Sequence, residues 1–182
     1  SLDRYRELSL VLGEQVYVEN RTGASGNLAT ELVARAEPDG HTLLLSTFTH
    51  PVNETLFKNF KYKAVDSFEP IAAMVETGLV LLVHPSLDVK NVQELVALAK
   101  AKPGEISIGG SGTFSGHHIA TLRLQKMTGA KFNYVPFTGA APQITAFLGG
   151  HVNAIFGNSD DIVKHSDNIR VLGTADDQRF FD

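Results

Sequence analysis

Short apolar runs alternate with helix-forming stretches along this chain, and the alternation constrains the fold more than any other feature. The predicted strands span residues 16–18, 42–45, 71–75, 79–83, 106–108, 132–135, 152–156 and 169–172, and helices are predicted between most of them. Such alternation is typical of α/β layers whose strands run mainly parallel. With 182 residues, the chain can bury the core of one domain or of two small ones.

The composition excludes several classes of function. The formal net charge of −4 and the lack of a Lys/Arg cluster argue against nucleic acid as a partner. No apolar run approaches the roughly 20 residues that a membrane span needs. Without cysteine, the chain has no disulfide, thiolate metal site or cysteine nucleophile. We therefore expect an ordinary globular protein.

The seven histidines include no pair spaced i, i+4, so no metal site is predicted. Adjacent His117 and His118 would point about 100° apart on a helix and cannot readily share an ion. A partly exposed helical position is the ordinary role for them, and a position facing a pocket is the alternative. We also expect no cofactor.

The stretch from Gly104 to Leu122 reads as a strand, a loop of glycines and hydroxyls at 109–116, and a helix that begins at about Ser115. A helix N-terminus offers unpaired N–H groups and the positive end of the helix dipole. Glycines before it let a ligand approach the backbone, which suits a carboxylate or a phosphate. The alternative is an ordinary turn with Ser115 as the N-cap.

Two earlier segments carry similar features. The sequence ENRTGASGN at 19–27 precedes a predicted helix that ends at Ala36, with Ser25 or Asn27 as its cap. Ser46 and Thr47 follow the 42–45 strand, which is apolar on both faces as buried parallel strands are. Ligands bind at such strand ends in open α/β sheets, although hydroxyls there also serve as caps and turn residues.

Known catalytic motifs fit this sequence incompletely. The G-x-G-x-x-S run at 110–115 has no acidic residue about 20 positions later, as a dinucleotide site requires, and Gly116 is not followed by lysine. Thr113 interrupts a G-x-S-x-G elbow. Asp160 and Asp161 are adjacent in a predicted turn or helix cap. Donors without a nucleophile or base indicate a binding protein and not an enzyme.

Four segments resemble one known family. They are VENRTGASGN, PDGHTLLLST, GGSGTFSGHH and VPFTGAAPQITAFLGGHVNAIF, in this order. They resemble the motifs V-E-N-R-P-G-A-G-G-N, A-P-D-G-Y-T-L-L, S-S-G-x-G-T-x-x-H and V-P-Y-K-G-x-x-P-A of Bug-type periplasmic solute receptors, the substrate-binding proteins of the tripartite tricarboxylate transporter family. The resemblance covers essentially the whole chain.

The resemblance implies an α/β, two-lobed periplasmic-binding-protein architecture (type II, Venus flytrap). It divides the chain into a partial first lobe at 1–77, a second lobe at 78–174 and the start of a return crossing at 175–182. Family members begin with a strand and a Gly-rich loop before the first helix, and they continue beyond the last strand here. The resemblance therefore implies a chain truncated at both ends, with an incomplete first lobe.

The resemblance also implies an extracytoplasmic receptor that binds a small organic acid between its lobes and delivers it to membrane transporter subunits. The acid would be a di- or tricarboxylate or an aromatic acid, held mainly by backbone N–H groups and hydroxyls. A periplasmic location rests on the resemblance alone, since no signal peptide is seen. The expected ligand-binding residues are Ser46, Thr47, Ser111, Gly112, Thr113, Phe137, Gly139 and Asn158.

Two departures from the family pattern bear on the ligand. Phe137 stands where tyrosine is usual, which would remove a hydroxyl from the cleft, and Gly157 stands where many members carry Asp. The latter favours a carboxylate without an amino group. Two alternatives remain: a nucleotide-binding α/β enzyme that uses the 109–116 loop, and a truncated lobe that binds no ligand and dimerises through its incomplete sheet.

Overall fold

The computed structural model describes residues 2–47, 49–56, 61–74 and 78–175. These residues form one five-stranded sheet in the spatial order β3-β2-β4-β1-β5. Its strands are β1 (Leu79–Val83), β2 (Ser107–Gly110), β3 (Asn133–Pro136), β4 (Ala154–Asn158) and β5 (Arg170–Thr174). β2 is parallel to β3 and β4, whereas β1 is antiparallel to both β4 and β5. The sheet is therefore mixed, with β1 running against the other four strands.

Each strand is connected to the next by a helix. The helices are α4 (Val92–Ala101), α5 (Gly116–Thr128), α6 (Ala140–Leu148) and α7 (Ser159–His165). The sequence predicts a helix that begins at about Ser115 and has Gly129 past its end. Both limits of α5 are confirmed, since Ser115 is its N-cap and Gly129 follows it in the left-handed conformation at φ 71°. The sequence predicts a helix from Gln143 to Leu148, and α6 begins three residues earlier because Gly139 already serves as its N-cap. β4 begins two residues later than predicted.

The core lies on both faces of the sheet. Leu81 and Val83 of β1 pack in a cluster with Leu95 of α4, whereas Val80 and Leu82 pack in another cluster with Phe147 of α6. Because successive side chains of a strand point to opposite faces, an uninterrupted apolar run suits a strand that is covered on both sides. The prediction of a strand at 79–83 is confirmed.

Residues 2–74 contain helices but no strand within the described residues. The helices are α1 (Leu2–Leu12), a short 3-10 helix (Ala24–Gly26), α2 (Asn27–Ala34) and α3 (Thr49–Leu56). Apolar residues at helical spacing predict a helix over residues 2–12 that ends before Gly13, and α1 has these limits; Gly13 has φ 69°. None of the described helices is long and apolar enough to cross a membrane.

The predicted strands at 16–18, 42–45 and 71–75 are wrong for every residue that the structure describes, and residue 75 lies outside that set. These segments have no strand partner among the described residues, and a β-prone sequence without a partner forms no ladder. Tyr17, Leu43 and Ile71 are consequently 78%, 55% and 78% exposed. The expectation of a buried strand at 42–45 is therefore not met.

The start of α2 also differs from the prediction. Its N-cap is Gly26 at φ 90°, without a side-chain cap, and the helix ends at Ala34. Asn27 does not cap because its Oδ1 accepts hydrogen bonds from Asn53 Nδ2 at 3.1 Å and from the Tyr62 hydroxyl at 2.9 Å. This network ties α2 to α3 and to the segment after it.

The spacing of Phe57, Phe60, Tyr62 and Phe68 predicts that these aromatic residues pack in the core, and Tyr62 and Phe68 are half-buried in the structure. Both contact the ring of His50, which stacks on Tyr62 and meets Phe68 edge to face at a centroid distance of 4.9 Å. The other two aromatic residues of that prediction, Phe57 and Phe60, lie outside the described residues, as do residues 75–77 and 176–182. The predicted lobe boundaries at 77 and 174 stay predictions.

Candidate ligand-binding site

The carboxyl ends of β3, β2 and β4 lie side by side, because these three neighbouring strands are parallel. We call this the carboxyl edge: the loop at 111–115, the loop at 137–139 and the turn at 158–159. α5, α6 and α7 all begin there. Six of the eight predicted ligand-binding residues lie at the carboxyl edge, namely Ser111, Gly112, Thr113, Phe137, Gly139 and Asn158.

The three helix N-termini at this edge differ in charge. α5 and α6 have no acidic residue in their first turn, whereas α7 has Asp160 and Asp161. Asp161 Oδ2 accepts the Asn158 N–H at 2.8 Å, and Asp160 pairs with Lys164 at 2.6 Å, so the predicted capping role is confirmed for Asp161. The uncompensated positive dipole ends are those of α5 and α6, which favour an anion.

Side chains of α5 and β3 hold the 111–115 loop in place. Ser111 N–H donates to His117 Nδ1 at 3.2 Å, and Phe114 N–H donates to His118 Nδ1 at 3.0 Å. The Gly112 carbonyl oxygen accepts the hydroxyls of Tyr134 at 2.6 Å and Ser115 at 2.8 Å. The loop conformation is therefore fixed by specific hydrogen bonds before any ligand binds.

These bonds decide which donors of the loop are available. The backbone N–H groups of Ser111 and Phe114 are already bonded to the two histidines. The half-buried Ser111 hydroxyl and the Gly112 N–H have no hydrogen-bond partner among the described residues. Thr113 lies beside them with an exposed side chain. Donors of this kind can bind a carboxylate without a cationic side chain.

The other predicted residues at the carboxyl edge contribute in different ways. The Phe137 ring packs in the cluster of Val80 and Phe147, and its N–H donates to Gly110 O at 2.8 Å, so it is a packing residue. Gly139 is the N-cap of α6 without a side-chain cap. The backbone N–H of Asn158 donates to Asp161, and the half-buried Asn158 side chain belongs to the capping box of α7.

Ser46 and Thr47 lie apart in the chain, in the extended segment before α3. Both are exposed, and the Thr47 carbonyl oxygen accepts the His50 N–H at 2.9 Å. Among the described residues, no hydrogen bond joins Ser46 to the carboxyl edge. The convergence of this pair on a shared cleft stays a prediction.

Sequence reasoning missed the role of His117 and Tyr134. His117 was expected to be partly exposed, but it is only 7% exposed. Burial lowers the pKa of His117, while Asp161 and Gln143 raise it by less. The available signal was its place in the first turn of α5, from which a side chain can reach back to loop N–H groups. No cluster of three or more acidic or histidine residues in the described chain could hold a metal.

Comparison with known proteins identifies the family. The profile of the Tripartite tricarboxylate transporter family receptor (TctC) matches residues 5–181. Protein BugT of Bordetella pertussis is 34% identical over 178 residues, which cover 96% of this chain and 55% of BugT. The chain thus spans about half the length of this relative.

Solved structures agree in fold. R. palustris Rpa4515, solved with adipate, superposes with a TM-score of 0.91 at 29% identity, covering 98% of this chain and 61% of Rpa4515. The periplasmic binding protein BugD superposes with a TM-score of 0.89 at 28% identity, covering 96% of this chain and 59% of BugD. The α/β fold is thus that of periplasmic binding proteins, and the resemblance in the four segments is confirmed. This chain belongs to the tripartite tricarboxylate transporter family of receptors.

Proposed function

We propose that this protein is an extracytoplasmic receptor that binds a small carboxylate at the carboxyl edge and passes it, unchanged, to a tripartite tricarboxylate-type transporter. One observation carries the proposal. The N-termini of α5 and α6 lack acidic residues, and the unbonded donors Ser111 Oγ and Gly112 N–H lie at the same edge. Unbonded donors beside two such helix N-termini suit the binding of an anion.

The class of ligand follows from the chemistry of these donors. Hydroxyls and backbone N–H groups stabilise a carboxylate, and the relative Rpa4515 was solved with adipate. A di- or tricarboxylate or an aromatic acid therefore fits best. Gly157 is buried, and a Cβ there would lie 2.9 Å from Leu82 Cδ1 and 3.0 Å from Asp161 Oδ2, so the acidic residue that would bind a ligand ammonium group would have to displace one of these side chains. This supports a ligand without an amino group.

The cleft would form between a first lobe at 1–77 and a second lobe at 78–174. Ser46 and Thr47 would supply hydroxyls from the first lobe, opposite Ser111 and Gly112. The family and the relative BugD, a periplasmic binding protein, support a periplasmic location and a transporter as the partner. Because the chain spans 55% of BugT, delivery to a transporter is proposed for the whole receptor.

A ligand screen tests the proposal. Adipate, succinate, citrate and benzoate are added in thermal unfolding and calorimetry experiments, with 1,6-hexanediol as the uncharged analogue of adipate. At about 100 times the dissociation constant, a ligand should stabilise the fold by about 2.7 kcal/mol. We expect at least one acid to bind and to be recovered unchanged, while the diol has no effect. If none of the acids binds, the proposal fails.

Two variants locate the binding site in the same screen. Ser111→Ala removes an unbonded hydroxyl at the carboxyl edge and should weaken acid binding, whereas Ser166→Ala changes an exposed serine far along the chain and should not.

NAD and ATP in the screen test the alternative of a nucleotide-binding enzyme. Light scattering tests the alternative of a truncated lobe that dimerises, since a monomer at working concentration contradicts it.

A further inference from the structure

Two adjacent histidines hold the 111–115 loop, each through the Nδ1 atom of its own ring. His117 Nδ1 accepts the Ser111 N–H, and His118 Nδ1 accepts the Phe114 N–H. The two bonds flank Gly112, whose carbonyl oxygen is held from the other side by Tyr134. The unbonded donors of the proposed site, Ser111 Oγ and Gly112 N–H, therefore lie on backbone that the histidines position.

These bonds require one protonation state. A ring nitrogen accepts an N–H only through its lone pair, so Nδ1 of both His117 and His118 must be unprotonated. In the neutral ring the proton then resides on Nε2. Protonation of Nδ1 would place a ring N–H opposite the backbone N–H of the loop, so neither group could accept and the hydrogen bond would break.

The surroundings of His117 favour the neutral ring. It faces Ser111 from the loop, Gln143 from α6 and Asp161 from α7. Asp161 and Gln143 favour the charged ring, but burial lowers the pKa of His117 by more than these two raise it. Gln143 is itself fixed, because its Nε2 donates to the carbonyl oxygen of Phe156 at 2.8 Å.

The surroundings of His118 are aromatic. Its ring stacks on Tyr134 at a centroid distance of 4.1 Å, and the Phe114 ring lies 5.6 Å away on a tilted plane. Burial lowers the pKa of His118. The Tyr134 phenol is uncharged, since burial also raises its pKa. The titratable groups that face the two rings from α6, α7, β3 and the loop are thus Asp161 and Tyr134.

We propose that His117 and His118 are positioning residues that hold the loop in its binding geometry only while Nδ1 of each is unprotonated. This rests on the proposed function of the loop. Carboxylate affinity then falls as the pH drops through the range in which these histidines titrate. A histidine that instead contacted the anion directly would strengthen binding on protonation, so the two roles predict opposite signs.

Asparagine variants separate positioning from other effects of pH. In His117→Asn and His118→Asn, Oδ1 can replace Nδ1 as an acceptor but does not titrate. Because burial lowers the pKa of both histidines, adipate affinity is measured by calorimetry between pH 7.5 and pH 4.5 for wild type, the double variant and the exposed control His151→Asn. We expect wild type and the control to lose about tenfold more affinity than the double variant. The protonation of adipate itself affects the affinity of every variant equally, so it cancels when the variants are compared at one pH.

His118→Phe keeps the stacked ring but removes the acceptor, and should bind adipate about tenfold more weakly at pH 7.5. Parallel pH profiles for wild type and the double variant would overturn the proposal, as would stronger binding by wild type at low pH. An unchanged affinity in His118→Phe would show that His118 is not a positioning residue.

A measurement without ligand distinguishes failure of this proposal from failure of the proposed function. Ring ¹⁵N shifts of the free protein should identify Nε2–H tautomers for both histidines at pH 7.5. The amide signals of Ser111 and Phe114 should then shift with the same midpoints as the rings. If these amide signals do not shift over the pH range in which the rings titrate, the positioning role is contradicted even if adipate binds. If wild type binds none of the acids, only the proposed function fails.

Discussion

The hydroxyl of Tyr134 donates a 2.6 Å hydrogen bond to the carbonyl oxygen of Gly112. The same tyrosine stacks on His118, so one side chain of β3 contacts both the loop and the first turn of α5. Its ring passes over Gly110, where a Cβ would lie 2.6 Å from ring atoms Cε2 and Cζ. The last residue of β2 thus lacks a side chain because the tyrosine occupies that space.

Replacement of Tyr134 by phenylalanine tests this hydrogen bond. Tyr134→Phe keeps the ring but leaves the Gly112 carbonyl with one donor fewer, so we expect the free energy of unfolding to fall by about 1 kcal/mol. Adipate affinity should fall as well, since the loop is less well fixed. Tyr17→Phe is the control, because its hydroxyl bonds to Gln15 at an exposed position. Urea denaturation of both variants checks the prediction, and equal losses would contradict it.

Replacement of Gly110 by alanine tests the space beneath the ring. Gly110→Ala must displace the half-buried ring, which breaks its hydrogen bond to Gly112 and its stacking on His118, so we expect a loss of about 1–3 kcal/mol in the free energy of unfolding. The matched control is Gly173→Ala in β5, where a Cβ would meet Val92 at an ordinary 3.6 Å. Near-UV circular dichroism should also change only in the first variant. A Gly110→Ala protein as stable as the control would contradict this account.

Local chemistry made part of the fold predictable from sequence. Ser115 and Gly129 mark the ends of α5 for local reasons. A serine side chain can accept the free N–H groups of the first turn, and glycine adopts the left-handed conformation after the last turn without steric cost. The apolar run at 79–83 is a strand because it has neighbours on both sides. The similar run at 42–45 is not a strand, since strand formation needs a partner that a local pattern cannot reveal.

The candidate site was predictable only in outline. The loop at 111–113 could be placed after a strand from its glycines and hydroxyls. The roles of His117 and Tyr134 depend on packing between α5, β3 and the loop, which brings together residues distant in sequence. Likewise, the Asn158 N–H is taken by Asp161, and this bond is visible only once α7 is in place.

The stability of the fold should depend on pH through His117. Burial lowers the pKa of His117 below its ordinary value of about 6.5, so the unfolded chain takes up the proton first as the pH falls. The free energy of unfolding should therefore decrease from pH 6.5 downwards until the pKa of the folded state is reached. Denaturation at pH 5.5 and pH 7.5 measures this. The loss should be smaller in His117→Asn than in wild type, whereas an equal loss would assign the dependence to other groups.

Asp161 links the cap of α7 to the titration of His117. Asp161→Asn removes a carboxylate that accepts the Asn158 N–H at 2.8 Å and that raises the pKa of His117. We expect the free energy of unfolding to fall by about 1 kcal/mol through the weakened cap, and the pKa of His117 to fall further below its ordinary value. NMR titration of the His117 ring checks the second expectation independently of the first. Asp167→Asn, an exposed position in the following 3-10 helix, is the control and should leave both quantities unchanged. An unchanged or raised pKa of His117 in Asp161→Asn would contradict this link, because the loss of a nearby negative charge disfavours the imidazolium.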